Sequence, residues 1–98
     1  MPIESNLSSD GKSLTIGVVG RFDFELVQDF RSAYTSHPNV NYIIDMRSTE
    51  HMDSSALGML LNMRKTLGDG VNISIVNCRP QIRKILTISR FDKKFKIE

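Results

Sequence analysis

Two neighbouring serines follow a carboxylate at the start of the most clearly apolar helix predicted in the chain. Asp53, Ser54 and Ser55 precede a stripe of apolar residues at helical spacing, which runs from Ala56 to Leu67. An Asp or Ser here normally caps the helix, because its side-chain oxygen accepts a hydrogen bond from a free backbone N–H. A hydroxyl at a helix N-terminus also suits a phosphate, since the free N–H groups and the helix dipole stabilise the anion. Two interpretations therefore stay open, a helix cap and a phosphorylation switch at Ser54.

Enzymatic chemistry has little support in the sequence. A catalytic serine needs a general base, and His51 lies three residues from Ser54 in a predicted loop, where a histidine is usually solvated. Neither a GxGxxG nor a Walker phosphate-binding pattern occurs. We therefore expect a protein that is not an enzyme and that binds no cofactor.

Metal chemistry is equally weakly indicated. The single cysteine, Cys78, has only two histidines to combine with, which is too few for a Cys/His zinc site. Three separated aspartates, Asp23, Asp45 and Asp53, could gather around Mg²⁺, but such residues more often act as caps and turn residues. We therefore expect no metal site.

Length and composition predict one small domain over residues 1–98. Hydrophobic residues make up 40% of the chain and charged residues 24%, which is close to the average for globular proteins. No run approaches 18 consecutive apolar residues, and the N-terminus lacks the basic and then apolar regions of a signal peptide. We therefore expect a cytoplasmic protein without membrane insertion.

Positive charge is concentrated towards the end of the chain. The net charge is only +2, but Arg79–Glu98 holds seven bases and two acids, a local balance of +5. Such an end is most often a solvated face. The alternatives are a patch for an acidic protein partner, or weak attraction to nucleic acid or anionic lipid. We expect no direct binding of nucleic acid.

Alternating apolar residues predict the strands of a sheet. Leu14, Ile16 and Val18 alternate with other residues, and we expect Ile3–Leu7 to form the second arm of a hairpin through the turn at 8–11. Three further strands are predicted at Tyr42–Met46, Val71–Ile75 and Phe91–Ile97. The first of these three is mostly apolar, which is typical of a strand buried on both faces.

Three helices are predicted between these strands. Their expected N-terminal residues are Asp23 or Phe24, then Ser54, then Pro80, and Asp23 suits the N-cap of the first helix. The first ends before His37-Pro38, and the second ends at Gly68. The residues at helical spacing in the first helix are Val27, Phe30, Arg31 and Tyr34. In the third helix, the residues expected to face inward are Ile82, Ile85, Leu86 and Ile88. The order ββαβαβαβ predicts an α/β fold, with helices on a mixed, mainly parallel sheet and an antiparallel hairpin at its edge.

Three segments together resemble the STAS domain, specifically the stand-alone bacterial anti-sigma factor antagonists. They are Gly20–Asp23 after a strand, Tyr42–Asp45 as the central strand and Met52–Gly58 at a helix start. The resemblance implies a switch protein that, when unphosphorylated, binds an anti-sigma factor and frees a sigma factor. It also implies that Ser54, directly after Asp53, is phosphorylated by a serine kinase, often the anti-sigma factor itself, and dephosphorylated by a PPM-type serine phosphatase.

The same helix is expected to carry the docking surface for the partner. Gly58 and Asn62 follow Ser54 at i+4 and i+8, so the three share one outward stripe. Glycine weakens a helix, which suggests close approach of a partner backbone at Gly58, or alternatively internal packing against another backbone of this domain. The other residues expected beside the phosphosite are Asp23, Asp53 and Ser55.

A second role within the same family remains open. Some small STAS proteins are non-enzymatic subunits of membrane lipid-transport ABC complexes. In those proteins, the helix that corresponds to the one beginning at Ser54 docks on the ATPase. That subgroup tends to have Thr at the hydroxyl position, so Ser54 favours phosphoregulation.

The chain also departs from the common pattern of the family in having Ala56 where the family often has Gly.

Overall fold

In the computed structural model, which describes residues 2–37 and 39–98, helices pack on one face of a five-stranded sheet. The strand order is β1-β2-β4-β6-β7, and β3 and β5 form a separate two-stranded sheet. The strands are β1 (Ile3–Leu7), β2 (Ser13–Val18), β3 (Gly20–Phe22), β4 (Asn41–Asp45), β5 (Thr49–Met52), β6 (Ile73–Val76) and β7 (Lys96–Ile97). β1 is antiparallel to β2 and the other pairs are parallel, which confirms the predicted mixed sheet with a hairpin edge.

Three α-helices connect the strands and supply one continuous core. They are α1 (Val27–Thr35), α2 (Ser54–Leu67) and α3 (Pro80–Ile88), and short 3₁₀ turns occupy Phe24–Leu26 and Phe91–Lys93. The core side chains from strands and helices include Leu14, Ile16, Phe30, Tyr34, Ile44, Leu60, Met63, Ile75, Ile82 and Leu86. Among the described helices, none combines the length and apolar character needed to cross a membrane.

The expectation that the central strand is buried on both faces is wrong. In β4, Tyr42 and Ile44 are fully buried, whereas Ile43 and Asp45 are only half-buried. The same alternation occurs in β2. Because successive strand residues point to opposite faces, this pattern places the helices on one face and leaves the other partly open to solvent.

Two further expectations about the chain after α3 are corrected. Phe91–Ile97 is not one strand, because only Lys96–Ile97 pairs with β6. Phe91 and Phe95 are both buried and stack with their ring centroids 5.8 Å apart. Ile88, expected to face inward, is instead 70% exposed, because it is the last residue of α3.

The first helix also begins differently from the prediction. Asp23 caps the first helical segment, as predicted, but that segment starts as a 3₁₀ turn at Phe24–Leu26 and α1 follows it. Phe30 and Tyr34 are buried as their spacing indicates, but Val27 and Arg31 are exposed. α1 ends at Thr35, and Pro38 lies outside the described residues.

Candidate functional site

The small sheet brings two aspartates to the same edge of the molecule. Phe22 of β3 pairs in register with Met52 of the parallel strand β5, so the residues that follow, Asp23 and Asp53, leave adjacent strands side by side. Each aspartate then begins a helical segment. The Asp23 carboxylate accepts a hydrogen bond from the Glu25 backbone N–H at 3.0 Å, which starts the 3₁₀ turn.

Asp53 is the residue that caps α2. Its carboxylate accepts hydrogen bonds from the backbone N–H groups of Ser55 at 3.0 Å and Ala56 at 3.2 Å, and from the Ser55 hydroxyl. The Ser55 hydroxyl is the main reason that the pKa of Asp53 is lowered, and the backbone N–H groups act in the same direction. Of the two expected candidates for the cap, Asp53 and Ser54, the structure therefore selects Asp53.

The two serines after Asp53 have different surroundings. Ser55 is half-buried, and its hydroxyl is engaged by the Asp53 carboxylate. Ser54 is the first residue of α2 and is exposed, and its hydroxyl makes no hydrogen bond to any part of the chain that the structure describes. Ser54 is therefore accessible to another protein.

The outward face of α2 continues from Ser54 along the helix. Gly58 and Asn62 are exposed, whereas Ala56 and Leu60 on the opposite side are buried. A Cβ atom placed on Gly58 would have no heavy atom within 4 Å, apart from its chain neighbours and the nearby helix backbone. Internal packing at Gly58, one of the two expected alternatives, is therefore excluded for residues 2–37 and 39–98.

A shallow cleft of about 160 Å³ lies between the ends of β3 and β5. It is lined by Arg21, Phe22, Asp23, His51, Met52 and Asp53. Sequence reasoning placed His51 in a loop, but it belongs to β5 and pairs in register with Arg21. The pairing of Arg21 with His51 at the cleft was not recognised from the sequence, because the strands that carry them are only three and four residues long.

Exposed apolar side chains occur on the elements that carry the two aspartates. Phe24 in the 3₁₀ turn is 67% exposed, Val27 at the start of α1 is 44% exposed, and Leu61 on α2 is 40% exposed. The 3₁₀ turn contacts α2, which brings Phe24 into the same region as the helix that begins at Ser54. Contiguous exposed apolar patches mark protein-binding surfaces, and these three side chains are candidates for such a patch.

Sequence comparison identifies relatives over almost the entire chain. The family description "STAS domain" matches residues 6–98. A STAS-domain containing protein of Pseudomonas aeruginosa is 48% identical over 100 residues, which cover 99% of this chain and 99% of the relative.

Solved structures of anti-sigma factor antagonists have a similar fold. One from Mycobacterium paratuberculosis gives a TM-score of 0.79 at 21% identity and covers 97% of this chain and 84% of that protein. The anti-sigma factor antagonist SpoIIAA in its unphosphorylated form gives a TM-score of 0.71 at 18% identity, covering 98% of this chain and 86% of that protein. Because these sequence identities are low, the similarity shows a shared fold alone.

Proposed function

The chain belongs to the STAS domain family, and from this premise we propose that it is a phosphorylation-regulated switch that binds an anti-sigma factor. In its unphosphorylated form it sequesters the anti-sigma factor, which leaves a sigma factor free to act. Phosphorylation of Ser54 ends this binding. In this proposal the chain is the phosphate acceptor and carries out no catalysis of its own.

The observation that carries the proposal is the difference between Ser54 and Ser55. Ser54 is exposed at the N-terminus of α2 and its hydroxyl makes no hydrogen bond to residues 2–37 or 39–98, whereas the Ser55 hydroxyl donates a hydrogen bond to the Asp53 carboxylate. A kinase needs an accessible hydroxyl, and the first turn of a helix stabilises the phosphate once it is attached. Ser54 meets both requirements.

The docking surface in this proposal is the exposed stripe of α2 together with its apolar neighbours. Gly58 allows a partner backbone to approach closely, because its outward side is open. Phe24 and Leu61 supply apolar area that a partner can bury, and Asn62 supplies hydrogen-bonding groups at the edge. Several similar structures are of anti-sigma factor antagonists, which supports an anti-sigma factor as the partner.

Phosphorylation acts in this proposal by placing charge inside the interface. A phosphate adds about −1.5 to −2 charges at neutral pH, directly beside the ionised Asp53 carboxylate. Leaving such a charge buried and unpaired in the complex costs roughly 2–5 kcal/mol, which corresponds to about 30-fold weaker binding or more. The helix N-terminus accommodates the anion, so the domain itself stays folded.

The enzymes that set the phosphorylation state are expected from the family resemblance. A serine kinase, often the anti-sigma factor itself, would supply the phosphate from ATP, and a PPM-type serine phosphatase would remove it. Both must reach Ser54, which its exposure at the edge of the domain permits.

Affinity purification with matched variants tests the proposal. The wild type, Ser54→Ala and Ser55→Ala should retain an anti-sigma factor identified by mass spectrometry, and Ser54→Asp should not. Retention of an ABC-type ATPase by all four proteins would contradict the proposal. That result would instead support the role of a transport-complex subunit.

A further inference from the structure

Exposed positive charge is concentrated at the end of the domain where the parallel strands begin. This end is opposite to the end that carries Ser54. Because β6 and β7 are parallel, the chain between them must return to the edge where the strands begin, so α3 ends there. We call this surface the basic end, and its exposed residues are Lys84, Ile88, Arg90, Lys93, Lys94 and Lys96. The acids between residues 79 and 98 are Asp92 and Glu98. Lys65 and Asp69 line the same surface hollow as Lys94, and because their charges are opposite they add no net charge to it.

The backbone that carries these bases is firmly anchored. Phe91 and Phe95 are buried and stack on each other below the exposed lysines. The buried Arg64 guanidinium donates a hydrogen bond to the Lys94 carbonyl and lies 5.3 Å from the centre of the Phe95 ring. The basic end is therefore a fixed feature of the folded domain.

Ile88 adds an apolar tip to this surface. It is 70% exposed, which is the highest exposure among the large hydrophobic side chains that the structure describes. On α3 it lies one turn after Lys84, because residues four apart share a helix face. Arg90 follows two residues later, so basic side chains stand before and after the isoleucine.

The composition of the basic end distinguishes among possible anionic partners. Four of its five bases are lysines, and protein interfaces are depleted in lysine and enriched in aromatic residues. Proteins that bind single-stranded nucleic acid stack bases on exposed aromatic rings, but Phe91 and Phe95 are buried here. Clustered lysines and arginines beside an exposed aliphatic side chain suit the anionic headgroups and acyl boundary of a bilayer.

We propose that the basic end binds the surface of an anionic lipid bilayer, with Ile88 entering the headgroup region. The bases supply long-range attraction, and the isoleucine adds short-range apolar contact without any part of the chain spanning the membrane. Ser54 lies at the other end of α2, which is about 21 Å long for its 14 residues. Ser54 therefore stays accessible to other proteins while the domain is bound to the membrane. This inference is independent of the function of Ser54.

Vesicle co-sedimentation tests this inference with two kinds of lipid. The protein should bind vesicles that contain phosphatidylglycerol and phosphatidylcholine, and should remain in solution with phosphatidylcholine alone. Raising the salt concentration should release it. Lys93→Glu/Lys94→Glu should lower the partition coefficient about tenfold or more, and Ile88→Ser should lower it several-fold at equal net charge.

A matched control separates local from overall charge. Arg31→Glu/Arg47→Glu makes the same change in net charge at two exposed positions outside the basic end, and should leave most of the binding intact. Thermal melts of each variant check that the domain is folded. Equal losses in both double variants would overturn the proposal. The proposal would also be overturned if the folded wild type bound an oligonucleotide or an acidic protein but did not bind anionic vesicles.

Discussion

The Ser55 hydroxyl donates a hydrogen bond to the same Asp53 carboxylate that caps α2, so these two residues form a closed pair at the helix N-terminus. The Asp53 carboxylate thereby gains a hydrogen-bond donor, and the Ser55 hydroxyl is no longer free. It leaves Ser54 as the exposed hydroxyl of the first turn. A local capping arrangement thus gives two adjacent serines different surroundings.

The cap should make stability depend on pH through Asp53. Hydrogen bonds hold the pKa of its carboxylate below the unfolded value of about 3.9, so its stabilising effect is complete above that pH and is lost as the pH falls through the folded pKa. Asp53→Asn should therefore lower Tm at pH 7 and should lower it less at pH 2. Asp69→Asn, at an exposed position after α2, is the control and should change Tm little at either pH. An equal effect of Asp53→Asn at both pH values would argue against an ionised cap.

Gly58→Lys should separate binding from stability. The outward side of Gly58 is open and lysine is the better helix former, so Tm should stay the same or rise by a few degrees. Binding to the anti-sigma factor should be abolished, because a long charged side chain would occupy the interface. Thr66→Lys, exposed near the end of the same helix, is the matched control and should bind normally. A Gly58→Lys protein that binds as tightly as the wild type would place the docking surface elsewhere.

Ser54→Asp should weaken binding without unfolding the domain. A carboxylate in the first turn is favourable to the helix, so circular dichroism and Tm should match those of the wild type. Affinity for the anti-sigma factor, measured by calorimetry, should fall, while Ser9→Asp in the exposed hairpin turn should leave it unchanged. A cooperative loss of secondary structure in Ser54→Asp would point to unfolding in place of interface repulsion.

Arg64 should be important for stability although it is charged. Its guanidinium is buried and donates hydrogen bonds to the carbonyls of Gly68, Val71 and Lys94, joining α2 to the chain before β7. Arg64→Met should lower the free energy of unfolding by about 2–4 kcal/mol in urea denaturation, because those carbonyls lose their donor. Lys65→Met at the neighbouring exposed position should cost less than about 0.5 kcal/mol. Similar stabilities of the two variants would show that Arg64 is not a structural link.

The main sheet and helices could be predicted because their signals are local. Alternation along β2 and the apolar stripe of α2 both depend on residues close together in the chain. The small sheet of β3 and β5 could not be predicted, since its strands have three and four residues and are stabilised by pairing across about thirty residues of sequence. The 3₁₀ turn at Phe91–Lys93 was missed because Phe91, like the nearby Phe95, equally suits a strand.

The position of the candidate site was predictable, but its internal arrangement was not. The order Asp-Ser-Ser at a helix start locates the site. Which residue caps the helix depends on backbone geometry, and Asp53 takes that role through an extended conformation that the sequence does not specify. The exposure of Phe24 and Val27 likewise depends on the turn that precedes α1.

Mapping of the phosphorylated residue is the most direct test of the central claim. The wild type, Ser54→Ala and Ser55→Ala should each be incubated with the captured kinase and ATP, then analysed by intact mass and peptide fragmentation. We expect one phosphate on Ser54 in the wild type and in Ser55→Ala, and none in Ser54→Ala. Because Asp53 provides the cap, Ser54→Ala should also remain as stable as the wild type. A phosphate on Ser55, or an unchanged mass in every protein, would contradict the account.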